Sequence, residues 1–136
     1  MTATFDMIIK TIDSIPVKDN SVIVYDIDNT LIDQYGQPIQ TIIYTYNYAK
    51  TKGLKPAIIT ARRSHDYVIQ HTINQLKSVG VSDFFCIYFM PEEKTDQATY
   101  KFLSRKNLYD KGYQVEMSLG DMHWDIGEYG GLGFIV

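Results

Sequence analysis

Two aspartates separated by one residue, Asp26 and Asp28, directly follow an uninterrupted run of β-branched and aromatic residues at 22–25. Such a run predicts a strand buried on both faces, as in the middle of a parallel sheet. Residues two apart on an extended backbone point to the same side, so the two carboxylates are expected to lie close together. Two anions that close are unfavourable unless a cation lies between them or one is protonated. The pair therefore predicts a metal site, an acid–base pair, or both.

The rest of the chain alternates between short apolar runs and helical patterns. Strands are predicted at residues 22–26, 56–60, 84–90, 113–119 and 132–136. Helices are predicted at residues 4–14, 40–51, 64–79 and 96–111. This alternation predicts an α/β fold, a Rossmann-like three-layer sandwich with a five-stranded, mostly parallel sheet and helices on both faces. In such sheets ligands bind at the carboxyl ends of the strands.

Length and charge limit the classes of function. With 136 residues the chain can bury one ordinary core, so residues 1–136 are predicted to form a single domain. A net charge of −3 gives no bulk electrostatic support for binding nucleic acid or an anionic membrane. Residues 1–16 lack a basic region before a long apolar core, and no run reaches transmembrane length. No membrane partner and a cytoplasmic location are therefore expected. The lone Cys86 lies in an apolar stretch and is expected to be a core thiol.

Polar residues recur at the ends of other predicted strands. Thr60 ends the second strand, Asp121 follows the fourth, and Asp125 comes four residues later. Lys101 lies on the helix that precedes the fourth strand. Taken singly each is ordinary, because helix lysines are usually solvated and aspartates often cap turns. The order of the whole set along the chain carries more information than any member.

The set matches a known pattern of four motifs. They are Asp26-Ile27-Asp28-Asn29-Thr30, Ile58-Ile59-Thr60, Lys101, and Gly120-Asp121-x-x-x-Asp125. In these motifs the chain resembles the phosphatases of the haloacid dehalogenase (HAD) superfamily. The context of Lys101 and of Thr60 is most similar to that of the class B acid phosphatases and the plant vegetative storage proteins. The resemblance runs from about residue 21 to residue 131 and implies a HAD-like fold.

The resemblance also implies a role for each acidic residue. Asp26 would be the nucleophile, forming an aspartyl-phosphate that water then hydrolyses. Asp28 would be the general acid for the leaving oxygen and then the base for the attacking water. Asp26 and Asp121, with the backbone carbonyl of Asp28, would hold Mg²⁺. Asp125 is expected to support these ligands rather than to bind the metal itself.

The other motif residues are implied to bind the phosphoryl group. Thr60 would donate a hydrogen bond to a phosphoryl oxygen, and Lys101 would neutralise negative charge in catalysis. Ala61 and Arg62 complete the predicted substrate-binding set. Thr30 is predicted to fix, by hydrogen bonding, the loop and the acid–base carboxylate that it carries. The sequence leaves open whether Arg62, Arg63, His123 or Trp124 contacts substrate.

The lengths of the segments between the motifs limit the size of a lid over the site, and therefore the kind of substrate that can enter. Lids in the superfamily follow the first motif or lie between the second and third. Here the first gap, 31–56, holds a turn and one helix, and the second, 61–100, is filled by core elements. A capless or minimally capped site is therefore expected. Such a site admits phosphorylated small molecules or macromolecules, or is closed by a neighbouring copy in a homo-oligomer.

Three functions remain after this reasoning. The first is a Mg²⁺-dependent phosphomonoester hydrolase that acts through Asp26. The second is a phosphatase specific for nucleotides or for the 3′ or 5′ phosphate ends of nucleic acid, which the net charge does not support. The third is a catalytically silent HAD-like binding protein, which loss of the nucleophile would mark, although Asp26 is present.

Overall fold

The computed structural model describes residues 4–93 and 95–136. The helices are α1 (Phe5–Ser14), α2 (Gln40–Thr51), α3 (Asp66–Ser78) and α4 (Gln97–Asp110). The strands are β1 (Ser21–Tyr25), β2 (Lys55–Arg63), β3 (Cys86–Met90), β4 (Gln114–Gly120) and β5 (Leu132–Ile135). Residues 1–3, at the start of the predicted domain, and Lys94, in the predicted loop 91–95, lie outside the described residues.

The five strands form one sheet in the order β3-β2-β1-β4-β5, and every pairing is parallel. This confirms the predicted α/β fold. The central strand is β1, and all five of its residues are buried, as its apolar composition predicts. Because β1 is central, the residue that follows it emerges at the middle of the carboxyl edge of the sheet.

The layer on one face of the sheet is built from α1, α2 and α3. Ile23 and Tyr25 of β1 point into this layer, because alternate residues of a strand face opposite sides. The buried side chains that the three helices contribute are Ile8, Ile12, Ile42, Ile43, Tyr46, Ala49 and Leu76. This is the larger of the two apolar clusters in the described chain.

The layer on the opposite face is α4. Val22 and Val24 of β1 pack there with Tyr100 and Leu108. Asp26 continues the alternation of Val22 and Val24, so its side chain is directed toward the side of the sheet that α4 covers. The position of the first aspartate against α4 therefore follows from the period of the strand.

Two predicted strand boundaries differ from the structure by more than one residue. β2 runs on to Arg63 instead of ending at residue 60, because Arg63 still pairs with Met90 of β3 after a break in register beyond Ile59. β3 begins at Cys86 rather than at residue 84. The Cys86 side chain is partly buried, and burial raises the pKa of its thiol to about 11, which agrees with a packing role. None of the described helices is long and apolar enough to cross a membrane.

We expect the inner face of α1 to be essential for stability. Ile12 is 1% exposed, whereas Met7 on the same helix is 46% exposed. Ile12→Ala should lower the free energy of unfolding by about 2–5 kcal/mol through lost burial and the cavity left behind. Met7→Ala, the matched control, should change it by less than about 1 kcal/mol. Urea unfolding curves measure both. Equal losses would show that α1 does not pack as described.

Candidate active site

Lys101 is the centre of the site. It lies in the buried stripe of α4, which comprises Tyr100, Lys101, Ser104, Arg105 and Leu108. The lysine is only 2% exposed, and its Nζ lies 2.9 Å from Oδ1 of Asp26 and 2.7 Å from Oδ1 of Asp125. Its Nζ also donates a hydrogen bond of 2.7 Å to the carbonyl oxygen of Ile59. The structure thus brings together three sequence-predicted residues, Asp26, Lys101 and Asp125.

The two carboxylates that contact this lysine form a cluster with a third, that of Asp121. One oxygen each from Asp26, Asp121 and Asp125 lies within 4.8 Å of the others, and Asp26 and Asp125 are buried. Burial and the neighbouring Asp125 raise the pKa of Asp26, while Lys101 opposes the shift. Lys101, together with the Arg105 guanidinium that acts electrostatically on Asp125, still leaves three carboxylates with excess negative charge. Such an arrangement fits a hard divalent cation, which prefers oxygen ligands.

Asp125 is held by the loop that follows β4. Its Oδ2 accepts a hydrogen bond of 3.0 Å from the backbone nitrogen of Met122, at the start of a short 3₁₀ helix, His123–Asp125, that the sequence did not predict. A Cβ at Gly120 would overlap the Asp125 side chain. The glycine of the fourth motif is therefore required so that Asp125 can approach the end of β4.

Arg105 also holds this loop, and sequence reasoning assigned it no role. Its Nε donates to the carbonyl of Glu128 and its Nη1 to the carbonyl of Trp124, both at 2.9 Å. The side chain is 4% exposed, and burial lowers the pKa of its guanidinium. The available signal was its spacing, because a basic residue four positions after Lys101 shares one helix face with it.

Asp28 lies apart from the three-carboxylate cluster. Its side chain is 57% exposed and pairs with Arg62. Arg62 Nε donates to Oδ2 at 3.1 Å and Nη2 donates to Oδ1 at 2.8 Å, so the pairing is bidentate. The two aspartates of the first motif therefore have different cationic partners. Direct substrate binding by Arg62 stays a prediction.

Thr60 and Ala61 lie on the part of β2 that extends beyond its pairing with β1. Thr60 is fully buried, and its Oγ1 accepts a hydrogen bond of 3.1 Å from the backbone nitrogen of Arg62. That bond leaves the hydroxyl hydrogen of Thr60 as a donor. Ala61 lines the cavity above the acidic cluster.

The side-chain hydrogen bond that was predicted for Thr30 does not form. Thr30 is fully buried, and its hydroxyl has no hydrogen-bond partner within the described chain. The loop is instead closed by its backbone, because the carbonyl of Ile27 accepts from the nitrogens of Thr30, Leu31 and Ile32 at 2.9–3.1 Å. Asn29 takes the left-handed conformation, with φ of 59°, that short polar side chains tolerate.

A cavity of about 270 Å³ opens onto the site. Asp26, Asp28, Lys101 and Asp121 line it. The remaining wall includes Gln97, Met122 and Trp124, so the position of Trp124 makes it accessible to a ligand in the cavity.

His123 packs edge-on against Trp124, with ring centroids 4.8 Å apart. Arg63 points to the β3 side, where its Nη1 donates to the carbonyl of Pro91.

Two larger depressions lie away from these residues. One of about 540 Å³ runs along α2 beside Tyr44 and Tyr48, and one of about 510 Å³ lies beside Tyr109 and Tyr113. No charged side chain of the described residues lines either. The smaller cavity is therefore the candidate active site, because the ionisable groups converge there.

Comparison with known proteins decides the family. The sequence profile of the HAD superfamily, subfamily IIIB (acid phosphatase), matches residues 34–132. The chain belongs to this family. The matched range begins after Asp26 and Asp28. In the structure, the parallel sheet places these two residues beside the other motifs, which lie inside the matched range. A comparison with curated protein sequences gave no significant match.

Solved structures of acid phosphatases share the fold. The class C acid phosphatase from Bacillus anthracis superposes with a TM-score of 0.66 at 16% identity, covering 90% of this chain and 61% of that chain. Its tungstate-bound structure gives a TM-score of 0.63 at 15% identity, covering 89% and 60%. At these identities the likeness shows the fold alone, which confirms the HAD-like prediction. The chain spans about three fifths of the length of the structures that it matches.

We expect Gly120→Ala to disturb the site through Asp125. The new methyl group should displace the aspartate and lower the free energy of unfolding by about 1–3 kcal/mol. In the Asp125→Gly background the overlap is absent, so the same substitution should cost clearly less. Urea unfolding of the two single variants and the double variant measures this coupling. Additive losses would mean that the glycine is required for another reason.

Proposed function

We propose that the protein is a metal-dependent phosphomonoester hydrolase in which Asp26 is the nucleophile. The observation that carries this proposal is the contact of Asp26 with buried Lys101 beside Asp121 and Asp125, at the carboxyl end of the central strand. Membership in the acid phosphatase family supports the same chemistry. The activity is a proposal because the matched structures are longer than this chain.

In the first step a carboxylate oxygen of Asp26 attacks phosphorus. The new bond joins that oxygen to phosphorus, and the bond from phosphorus to the leaving oxygen breaks. Asp28 gives its proton to the leaving oxygen, which departs as an alcohol. In the second step Asp28 takes a proton from water, whose oxygen displaces Asp26 from phosphorus. Inorganic phosphate and the free carboxylate of Asp26 result.

The carboxylates of Asp26 and Asp121 are the proposed ligands of Mg²⁺, together with the backbone carbonyl of Asp28. When bound, the cation would offset negative charge on the phosphoryl oxygens. The net negative charge of the cluster supports this assignment. Asp125, which is ion-paired with Lys101 and accepts a hydrogen bond from the Met122 nitrogen, fits the supporting role expected from the sequence.

Lys101 and Thr60 are proposed to stabilise the phosphoryl group, with Ala61 as part of the binding wall. Lys101 carries positive charge beside the nucleophile, and the hydroxyl hydrogen of Thr60 is available as a donor. The open cavity supports phosphorylated substrates of either small or large size. A single domain over residues 1–136, a cytoplasmic location and a homo-oligomer stay predictions from the sequence.

An activity assay tests the nucleophile. The purified protein should release phosphate from an aryl phosphate in the presence of Mg²⁺ and stop when a chelator is added. Asp26→Asn should lower kcat by at least about 10³-fold, because an amide cannot form the phosphoenzyme. Tyr35→Phe, at a residue that is 78% exposed, is the control and should keep full activity. Wild-type turnover in the Asp26 variant would remove the residue from its role.

Metal binding can be tested without turnover. Mg²⁺ should raise the melting temperature of the wild-type protein, because a ligand that binds only the folded state stabilises it. Asp121→Asn should abolish most of this rise. In chelator the same variant should melt no lower than wild type, since it removes one of three mutually repelling carboxylates. An unchanged Mg²⁺ effect in this variant would exclude Asp121 as a ligand.

A further inference from the structure

Asp28 and Arg62 form a bidentate ion pair, which is more strictly oriented than an ordinary surface ion pair. Both carboxylate oxygens of Asp28 are engaged by different nitrogens of the guanidinium. A planar guanidinium that meets a carboxylate at two points fixes the plane of that carboxylate as well as its position. Asp28 is 57% exposed, so without this pairing its side chain would be free to take other rotamers.

Arg62 is itself anchored from a second direction. Its Nη1 donates to Oγ1 of Thr72 at 3.1 Å and to Oε1 of Gln75 at 2.7 Å, both on α3. Thr72 is fully buried, and the Arg62 side chain is only 17% exposed. Four of the five N–H donors of the guanidinium are thus used within the protein. The arginine connects a packed helix to the exposed carboxylate.

These contacts distinguish two roles for Arg62. An arginine that binds substrate phosphate needs free donors directed into the cavity. Arg62 has most of its donors committed to Asp28, Thr72 and Gln75, and it is not among the described residues that line the cavity beside Asp26 and Asp28. Its contacts instead fit the task of holding one carboxylate in one orientation.

We propose that Arg62 is a positioning residue for Asp28, with Thr72 and Gln75 as its anchors on α3. The proposal rests on the proposed function, because it concerns the carboxylate that transfers the proton in that reaction. Arg62 fixes the direction from which Asp28 meets the leaving oxygen. The loss of Arg62 should therefore matter most when the leaving group needs a proton.

Arg62→Lys separates positioning from phosphate binding, since lysine keeps the charge but lacks the two-point fork. We would measure kcat/KM with Mg²⁺ for dinitrophenyl, nitrophenyl, phenyl and alkyl phosphates. The dinitrophenyl leaving group departs without a proton, whereas the alkoxide leaving group must be protonated as it departs. Arg62→Lys should lose at least about tenfold more activity on the alkyl phosphate than on the dinitrophenyl phosphate. Inhibition by inorganic phosphate should stay within about twofold of wild type.

Three further variants complete the experiment. Gln75→Leu removes one anchor without touching Asp28 and should show the same substrate dependence at smaller size. In the Asp28→Asn background Arg62→Lys should have no further effect on the substrate dependence, because the carboxyl group that transfers the proton is gone. The matched control is Arg63→Lys, which changes the adjacent arginine on the β3 side and should leave the whole series unchanged.

The outcomes are distinguishable. An equal loss on every substrate, with weaker inhibition by inorganic phosphate, would show that Arg62 binds the phosphoryl group and overturn the proposal. An Arg62→Lys effect on the substrate dependence that persists in Asp28→Asn would overturn it too. If wild type cleaves none of the esters, the proposed function itself fails, and the positioning role fails with it. Thermal unfolding identifies a variant that does not fold, in which case Gln75→Leu decides.

Discussion

The buried positive charge of Lys101 is the constraint on which the site depends. A lysine that is 2% exposed is tolerated only with full compensation, and here two carboxylates and one carbonyl oxygen provide it. The partners come from the end of β1, from the middle of β2 and from the loop after β4, so the same contacts join the sheet to α4. Removing one member of such a buried set leaves an uncompensated charge, which typically costs about 3–5 kcal/mol. The geometry of the proposed active site and the stability of the fold therefore depend on one cluster.

The elements that carry the site could be predicted because their signals are local. The apolar run at 22–25 required a buried strand, and the structure makes it the centre of the sheet. Asp26, Lys101 and Asp121 then meet because parallel strands end at one edge and α4 covers that edge from one side. The period of the strand alone directs Asp26 toward α4. Composition and spacing were sufficient for the strand and for the direction of Asp26, whereas the choice of Lys101 and Asp121 depended on the resemblance to the HAD phosphatases.

Other features depend on which side chains meet in three dimensions. Asp28 and Arg62 are separated by 34 positions, and nothing local in either motif indicates that their side chains form a fork. The hydroxyl of Thr30 points into a buried space where it finds no partner among the described residues, so its predicted hydrogen bond does not form. The need for Gly120 likewise appears only once Asp125 is packed against it. Such contacts depend on rotamers and loop paths that sequence periodicity does not determine.

The extension of β2 beyond its pairing with β1 separates the two aspartates into different structural neighbourhoods. Asp26 belongs to the closely packed contact between the sheet and α4, where a change in side-chain volume affects the neighbouring core residues. Asp28 is tied through Arg62 to α3, a helix that contributes only Thr72 and Leu76 as fully buried residues. Substitutions on α3 can therefore adjust the orientation of Asp28, the proposed proton donor, while Asp26 and the proposed cation site stay intact. The fold in this way permits the surroundings of the two aspartates to diverge independently.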